Sequence, residues 1–390
     1  MLECRRIYEL AHRLPDRVLP QIHGPCEKPL VIFLLRLLLA RHLVHPFEGL
    51  TLADWRQLLR RERYRIDPVY WPRALWISAQ GFWNSYAERT VEQRFGAAID
   101  AARVEAPVFV LGHYRSGTTF LHELLRTDPR FASPNRFQTF NPRTFLGTEP
   151  WLAPVVEPFM LPRRVQEDEV AYAVLTQLSP YMDWIFPRSQ HGYERYLTFH
   201  DADPAEVAQW SAALVRFMKA LTVKHQRPLI LKSPPHTARV RLLLRLFPDA
   251  RFVHIRRDPY AVFVSTIGLL KSLYPVFGLQ RGPRKIDEDA VLRTYKTMYD
   301  AYFDDIHLVP PGQLIEIAYE DLEHDPLGQL RTIYDGIALG DFDEVRPALD
   351  EYIASIAGYR KNRHRPLADA TREKVAEACA RSFDAWGYPR

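Results

Sequence analysis

The sequence predicts an α/β fold: a P-loop-like parallel sheet flanked by helices, preceded by an N-terminal helical extension. Three observations predict it. Short continuous apolar runs such as "VFVLG", "PLILK" and "RFVHI" alternate with stretches of helical spacing, the pattern of strands buried on both faces. The first of these runs turns through glycine into a helix as G-x-x-x-x-G-T-T. Residues 1–103 read as helical throughout, so the chain divides into a helical extension, 1–103, and an α/β domain, 104–390.

In the extension, "TLADWRQLLRRERYR" opens with Thr51 as the expected cap of a periodic helix. The tryptophan-rich "WPRALWISAQGFWNSYAERTVEQRF" continues in the same style, and Ala106-Pro107 ends the region. Ahead of both lies "PLVIFLLRLLLARHLV", residues 29–44, interrupted by Arg36 and Arg41. It is shorter than the roughly 20 apolar residues of a spanning helix. Two readings stay open: a helix buried on the α/β domain, or one lying in a membrane interface with its arginines at the headgroups.

From Val108 the elements follow as strand, glycine turn and the helix "TTFLHELLRTDP", which stops at Asp128-Pro129. Residues 133–165 are rich in proline and aromatics and are expected to be irregular, with short helices. "EDEVAYAVLTQLSP" and "PAEVAQWSAALVRFMKALTVKHQ" read as helices. Then come strand 229–232, helix 237–246, strand 251–255, helix 259–272 and a last strand in "QLIEIAYEDL".

The chain has 390 residues, 47% hydrophobic and 25% charged, ample for a large core. A net charge of +5 suits an anionic ligand and is too mild to imply nucleic acid. Cys4, Cys26 and Cys379 lie far apart, which suggests neither a disulfide framework nor a zinc site and fits a reducing compartment. "MLECRRIYELAHRLPDRVLP" has no apolar stretch followed by a small-residue cleavage site. The expected location is the cytoplasm, at the inner membrane face if residues 29–44 are interfacial.

A glycine-rich strand-to-helix turn aims backbone N–H groups and the positive end of a helix at one spot, an anion site before any side chain contributes. Gly112 and Gly117 allow the tight backbone; Ser116, Thr118 and Thr119 offer hydroxyls; Arg115 lies within the loop. Thr118 stands where a nucleotide-hydrolysing loop carries lysine, and "RFVHIRRDP" is basic where magnesium binding would want an acid after a strand. Hydrolysis of ATP or GTP is therefore disfavoured, and no metal is expected.

"LGHYRSGTTFLHELL" resembles the 5′-phosphosulfate loop of sulfotransferases that use 3′-phosphoadenosine 5′-phosphosulfate (PAPS). Arg115 takes the basic position, and Tyr114 stands where proline is common. "FVHIRRDPYAVFVS" resembles the family's 3′-phosphate segment, in which Arg257 and Ser265 have the family spacing. "LILKSPPH" is similar to the K-S-P-x-H element of the broad bacterial group. "GYRKNRHRPL" is similar to its basic tail, less closely because Pro366 stands where tyrosine is common. The resemblance covers roughly residues 107–385.

It implies a P-loop-like domain in which Gly112, His113, Tyr114, Arg115, Ser116, Gly117, Thr118 and Thr119 hold the donor's 5′ end. Arg257 and Ser265 would hold the 3′-phosphate, and Arg360, Lys361 and Arg363 would close over that side. Arg115 and Lys232 are the cations expected to meet charge on the leaving oxygen. His236, Glu169 and His113 are the candidate general bases for an acceptor hydroxyl or amine.

The acceptor is open between a small molecule, a lipid-like compound and a glycan. Phe137, Phe140, Phe145, Trp151, Tyr172, Tyr181, Trp184 and Phe186 either line an apolar acceptor cleft or belong to the core. A kinase-like phosphotransferase and a non-catalytic nucleotide-binding protein are the competing readings.

Overall fold

The computed structural model describes residues 45–160, 165–356 and 367–390. The apolar segment 29–44 and the basic residues Arg360, Lys361 and Arg363 lie outside the described residues.

Four parallel strands form the sheet: β1 (Val108–Leu111), β2 (Ile230–Lys232), β3 (Arg251–Arg256) and β4 (Leu314–Ala318), in the order β2-β1-β3-β4. In register, Val110 pairs with Lys232 on one side and Val253 on the other, and Ile255 pairs with Ile317. All four residues of β1 are fully buried. Phe109 and Leu111 face one core with Phe252 and Leu231, while Val108 and Val110 face the other with Ile230 and Val253. Burial on both faces explains why the strands read as unbroken apolar runs.

The chain leaves β1 toward β2 on one side and returns through β3 toward β4 on the other. The β1/β3 boundary is therefore a topological switch point, where the loops at the carboxyl ends of adjacent strands diverge and leave a crevice.

Before the sheet come α1 (Leu52–Arg61) and α2 (Trp71–Ala101). Thr51 caps α1 as expected, its hydroxyl accepting from Asp54 N. After β1 come α3 (Thr118–Leu125), α4 (Arg136–Phe140), α5 (Phe145–Met160), α6 (Glu169–Thr176), α7 (Met182–Ile185) and α8 (Pro204–His225). After β2 comes α9 (Val240–Leu246), and β3 leads into α10 (Pro259–Phe277) and α11 (Glu288–Asp305). After β4 follow α12 (Tyr319–His324), α13 (Pro326–Gly336), α14 (Phe342–Ile356), α15 (Asp369–Ala378) and α16 (Ala380–Trp386).

Two expectations differ. Within the stretch expected to be irregular, α5 runs 16 residues through Pro150 and Pro154. Burial of Phe145, Leu146 and Ala153 outweighs the backbone bonds those prolines remove. The helix expected over 237–246 is a 3-10 turn, Pro234–Ala238, followed by α9, because paired prolines disfavour a regular first turn. The extension shares one core with the α/β part: Phe47, Trp55, Ile77 and Val91 belong to the same buried cluster as Phe109 and Leu231.

Candidate active site

The loop from Gly112 to Gly117 needs its glycines for backbone conformation and for space. Gly112 has φ 142°, and a Cβ there would lie 2.7 Å from the carbonyl of Ile255. Gly117 has φ 105°, and a Cβ there would collide with the ring of Tyr319. No side chain caps the N-terminus of α3, so its first N–H groups face the loop mouth.

The interior of the loop is fixed by its own polar groups. Ser116 Oγ donates to His113 O (2.8 Å), and Gly112 N and His113 N donate to Thr237 Oγ1 (2.7 Å) and Tyr299 OH (3.2 Å). Ser116 and Thr118 are buried, so their side chains shape the loop. The buried His113 ring packs against Tyr295 and Tyr299 and shares a hydrogen bond with Tyr114 O (2.9 Å). Burial pushes its pKa down to about 4, which keeps it neutral, and it has no opening toward an acceptor.

Arg115, Arg257 and Ser265 come together across the switch point. Arg257 Nη1 donates to Arg115 O (2.9 Å), and Arg115 Nε donates to Ser265 Oγ (2.9 Å). Arg115 is left-handed, φ 70°, a conformation that a residue with a side chain keeps only where its surroundings hold it. The Arg257 guanidinium stacks over Tyr319, 4.1 Å from the ring centre. This is the ring that requires Gly117 to be glycine. Two arginines, a serine hydroxyl and a helix N-terminus thus form one cradle fed by both loops. That donor set fits a ligand with two separated phosphate groups.

Lys232, at the end of β2, faces the other side of the loop. Its Nζ lies 2.7 Å from Glu167 Oε1 and 3.4 Å from Thr119 Oγ1. Glu167 also accepts a short hydrogen bond from Tyr181 OH. The Tyr181 ring stacks on Trp184, centroids 4.1 Å apart, and Tyr114 meets Trp184 edge-on at 5.6 Å. Burial, and then the charge of Glu167, raise the Tyr114 and Tyr181 phenols well above their ordinary range, so both are neutral.

The acid beside Lys232 is Glu167, whereas Glu169, expected from the sequence as a candidate general base, is held by Arg239. Glu169 is fully buried and bidentate on Arg239, at 2.6 and 3.0 Å. Arg239 is itself enclosed over the rings of Phe199 and Trp210. His236 is also fully buried, its Nε2 2.6 Å from Asp168 Oδ2 and its ring against Phe109 and Tyr172. Both groups stand behind the Lys232–Glu167 contact and brace it. Asp168 accepts as well from Ser233 Oγ and Tyr172 OH, each at 2.8 Å. Burial alone would raise that carboxyl; the charge of His236 and these hydrogen bonds outweigh it and hold the pKa at about 2.

Three consecutive acids thus grip one segment: Glu167 on Lys232, Asp168 on Ser233 and His236, Glu169 on Arg239. The sequence shows "EDE" ahead of a helix, but helical spacing does not say which acid reaches the lysine. The position of Glu167, two residues before α6 begins, is the only signal that it is not held by the helix. Of the aromatics considered for an acceptor cleft, Phe137, Phe140, Phe145, Tyr172 and Phe186 are core and Trp151 is exposed. Tyr181 and Trp184 adjoin the Lys232–Glu167 contact.

A family model described as "Sulfotransferase family" matches residues 107–344. An omega-hydroxy-beta-dihydromenaquinone-9 sulfotransferase, Stf3, of Mycobacterium bovis is 36% identical over 354 residues, covering 88% of this chain and 91% of its own. Its Mycobacterium tuberculosis counterpart matches equally. Among solved structures, sulfotransferase STF9 from Mycobacterium avium superposes with a TM-score of 0.69 at 21% identity, over 86% of this chain and 92% of its own. STF1 from Mycobacterium tuberculosis gives 0.59 at 18% identity, over 85% and 93%.

Proposed function

The chain belongs to the sulfotransferase family, and on that premise we propose that it moves a sulfuryl group from PAPS to a hydroxyl of a lipid-like acceptor. The observation that carries the donor assignment is the Arg257–Arg115–Ser265 chain of hydrogen bonds, which joins the two loops into one cradle. Arg257 and Ser265 hold the 3′-phosphate. The α3 N-terminus, Arg115 and Thr119 hold the 5′ end. When bound, the donor supplies the sulfuryl group and leaves as the bisphosphate.

The chain's own residues do the rest. Glu167 takes the proton of the acceptor hydroxyl as its oxygen attacks sulfur. Lys232 and Arg115 face negative charge gathering on the leaving oxygen. Asp168, His236, Glu169 and Arg239 keep the Glu167 backbone in place, so the carboxylate and the ammonium meet at a fixed spot. Tyr181, Trp184 and Tyr114 present an apolar aromatic wall beside that carboxylate. The wall favours an acceptor with a flat or hydrocarbon body, in keeping with the quinone-derived acceptor in the name of the 36% identical relative.

The test is twofold. 3′-Phosphoadenosine 5′-phosphate is expected to bind without magnesium, and radiolabelled PAPS to transfer its label to a hydroxylated isoprenoid quinol. Preference for ATP with magnesium would overturn the donor assignment. Label appearing in glycans and in no lipid fraction would overturn the acceptor class.

A further inference from the structure

Only one side of the first four turns of α2 is buried, yet the opposite side carries large apolar residues. Arg73, Ile77, Gly81 and Asn84 face the core. On the opposite side Trp71, Leu75, Phe82 and Tyr86 are spaced 4, 7 and 4 residues apart. At 3.6 residues per turn they fall within about 60° of one another, along about 22 Å of helix. They are strongly exposed: Leu75 71%, Phe82 63% and Tyr86 66%. Trp83 flanks the stripe at 46%. On the neighbouring α5, Trp151 and Val155 are exposed as well, at 60% and 65%. A water-facing helix ordinarily carries polar residues on that side, and an apolar surface of this extent marks a contact.

We propose that this outer face of α2 lies on an anionic lipid surface. Three observations favour lipid over a protein partner. The stripe is rich in tryptophan and tyrosine, the side chains that settle at a membrane–water boundary. Cations bracket its N-terminal end. Arg63 and Arg65 directly precede it, and Arg281, Arg284 and Lys285 lie beside it, because Asp67 N donates to Leu279 O and Asp67 Oδ2 accepts from Arg281 N. All five are exposed. Such a rim is complementary to acidic headgroups.

The chain also enters the described structure at the same end. His45 Nε2 lies 2.7 Å from Phe277 O, and Gly278 O accepts from Arg73 of α2. The 44 residues before it include the apolar run 29–44 with Arg36 and Arg41. In sequence, that apolar run directly precedes His45, the residue at which the chain enters. Helix α10 runs from the donor cradle at Asp258 to that same end at Phe277, over about 28 Å. The proposed lipid face and the donor cradle therefore stand toward opposite ends of one helix. The inference does not depend on the sulfuryl-transfer reading.

The test is sedimentation of the full chain with vesicles of phosphatidylcholine alone or with about a third phosphatidylglycerol. The comparison uses Trp71→Ser/Leu75→Ser, Arg63→Glu/Lys285→Glu and, in the apolar run, Leu38→Asp/Leu39→Asp. Binding of 3′-phosphoadenosine 5′-phosphate is measured on each as a check of folding. The expected result is preferential binding to the anionic vesicles, lost at least tenfold in the first variant. In the second variant the preference for anionic lipid disappears, and nucleotide affinity is unchanged in both. The proposal is overturned by no vesicle binding by the parent chain, by full binding by the Trp71→Ser/Leu75→Ser variant, or by a stable dimer that this variant splits without any vesicle binding. Loss in the Leu38→Asp/Leu39→Asp variant alone also overturns it, by assigning the contact to that run.

Discussion

Lys232 Nζ lies 2.7 Å from Glu167 Oε1, a contact between the end of β2 and the residue pair that precedes α6. It sets a carboxylate and an ammonium side by side next to Thr119 of the glycine loop. Glu167→Gln is expected to lower kcat about 10²–10⁴-fold, the range for loss of a general base. Affinity for 3′-phosphoadenosine 5′-phosphate should stay within about threefold, since a neutral amide of the same shape leaves the cradle intact. Steady-state transfer and equilibrium binding on the same preparation check it; an unimpaired kcat would remove Glu167 from the chemistry.

Arg257 has the opposite signature. Arg257→Ala should weaken binding of the bisphosphate by about 2–4 kcal/mol, because it removes a charge-assisted contact and the strut on the Arg115 carbonyl. Ser265→Ala, which deletes one neutral partner of Arg115, should cost about 1 kcal/mol. Calorimetric titration separates the two, and equal effects would contradict the geometry.

Asp168→Asn should destabilise the fold by about 1–3 kcal/mol, the cost of disrupting the buried hydrogen bonds that converge on this carboxylate. Because the folded pKa of Asp168 is depressed to about 2, its stabilisation is complete above the unfolded value near 4 and is lost as pH falls from there toward 2. Denaturant melts at pH 7 and pH 3 should therefore show a wide gap between Asn variant and parent at the first and a narrower one at the second.

His113 is neutral inside the loop, with its pKa lowered to about 4 by burial. Between that value and about 6.5 the unfolded chain binds a proton that the folded chain does not. Stability attributable to this ring is thus fully present above pH 6.5 and falls by up to about 3 kcal/mol as pH drops toward 4. His113→Gln should flatten that part of the pH–stability curve, as read by thermal melts at half-unit steps; an unaltered slope would refute the assignment.

The sequence exposes the strands and both anion loops because each is local. A fully buried parallel strand writes its burial into consecutive residues, and a phosphate loop must place its glycines and basic residue within a few positions. The site beyond those loops is less visible. Glu167 and Glu169 differ by two positions, yet one reaches Lys232 and the other Arg239, a difference set by where the first turn of α6 begins. Tyr319, which supports Arg257, lies on another strand end and carries no motif. His236 sits in a recognisable element, but the sequence does not show that its ring is buried against Asp168.

The run Glu167-Asp168-Glu169 meets its partners in the same chain order as they occur, Lys232, then Ser233 and His236, then Arg239. A substitution at any one position degrades one contact. A single inserted or deleted residue would offer every acid to its neighbour's partner and disengage all three at once. Length is therefore the quantity this segment cannot vary.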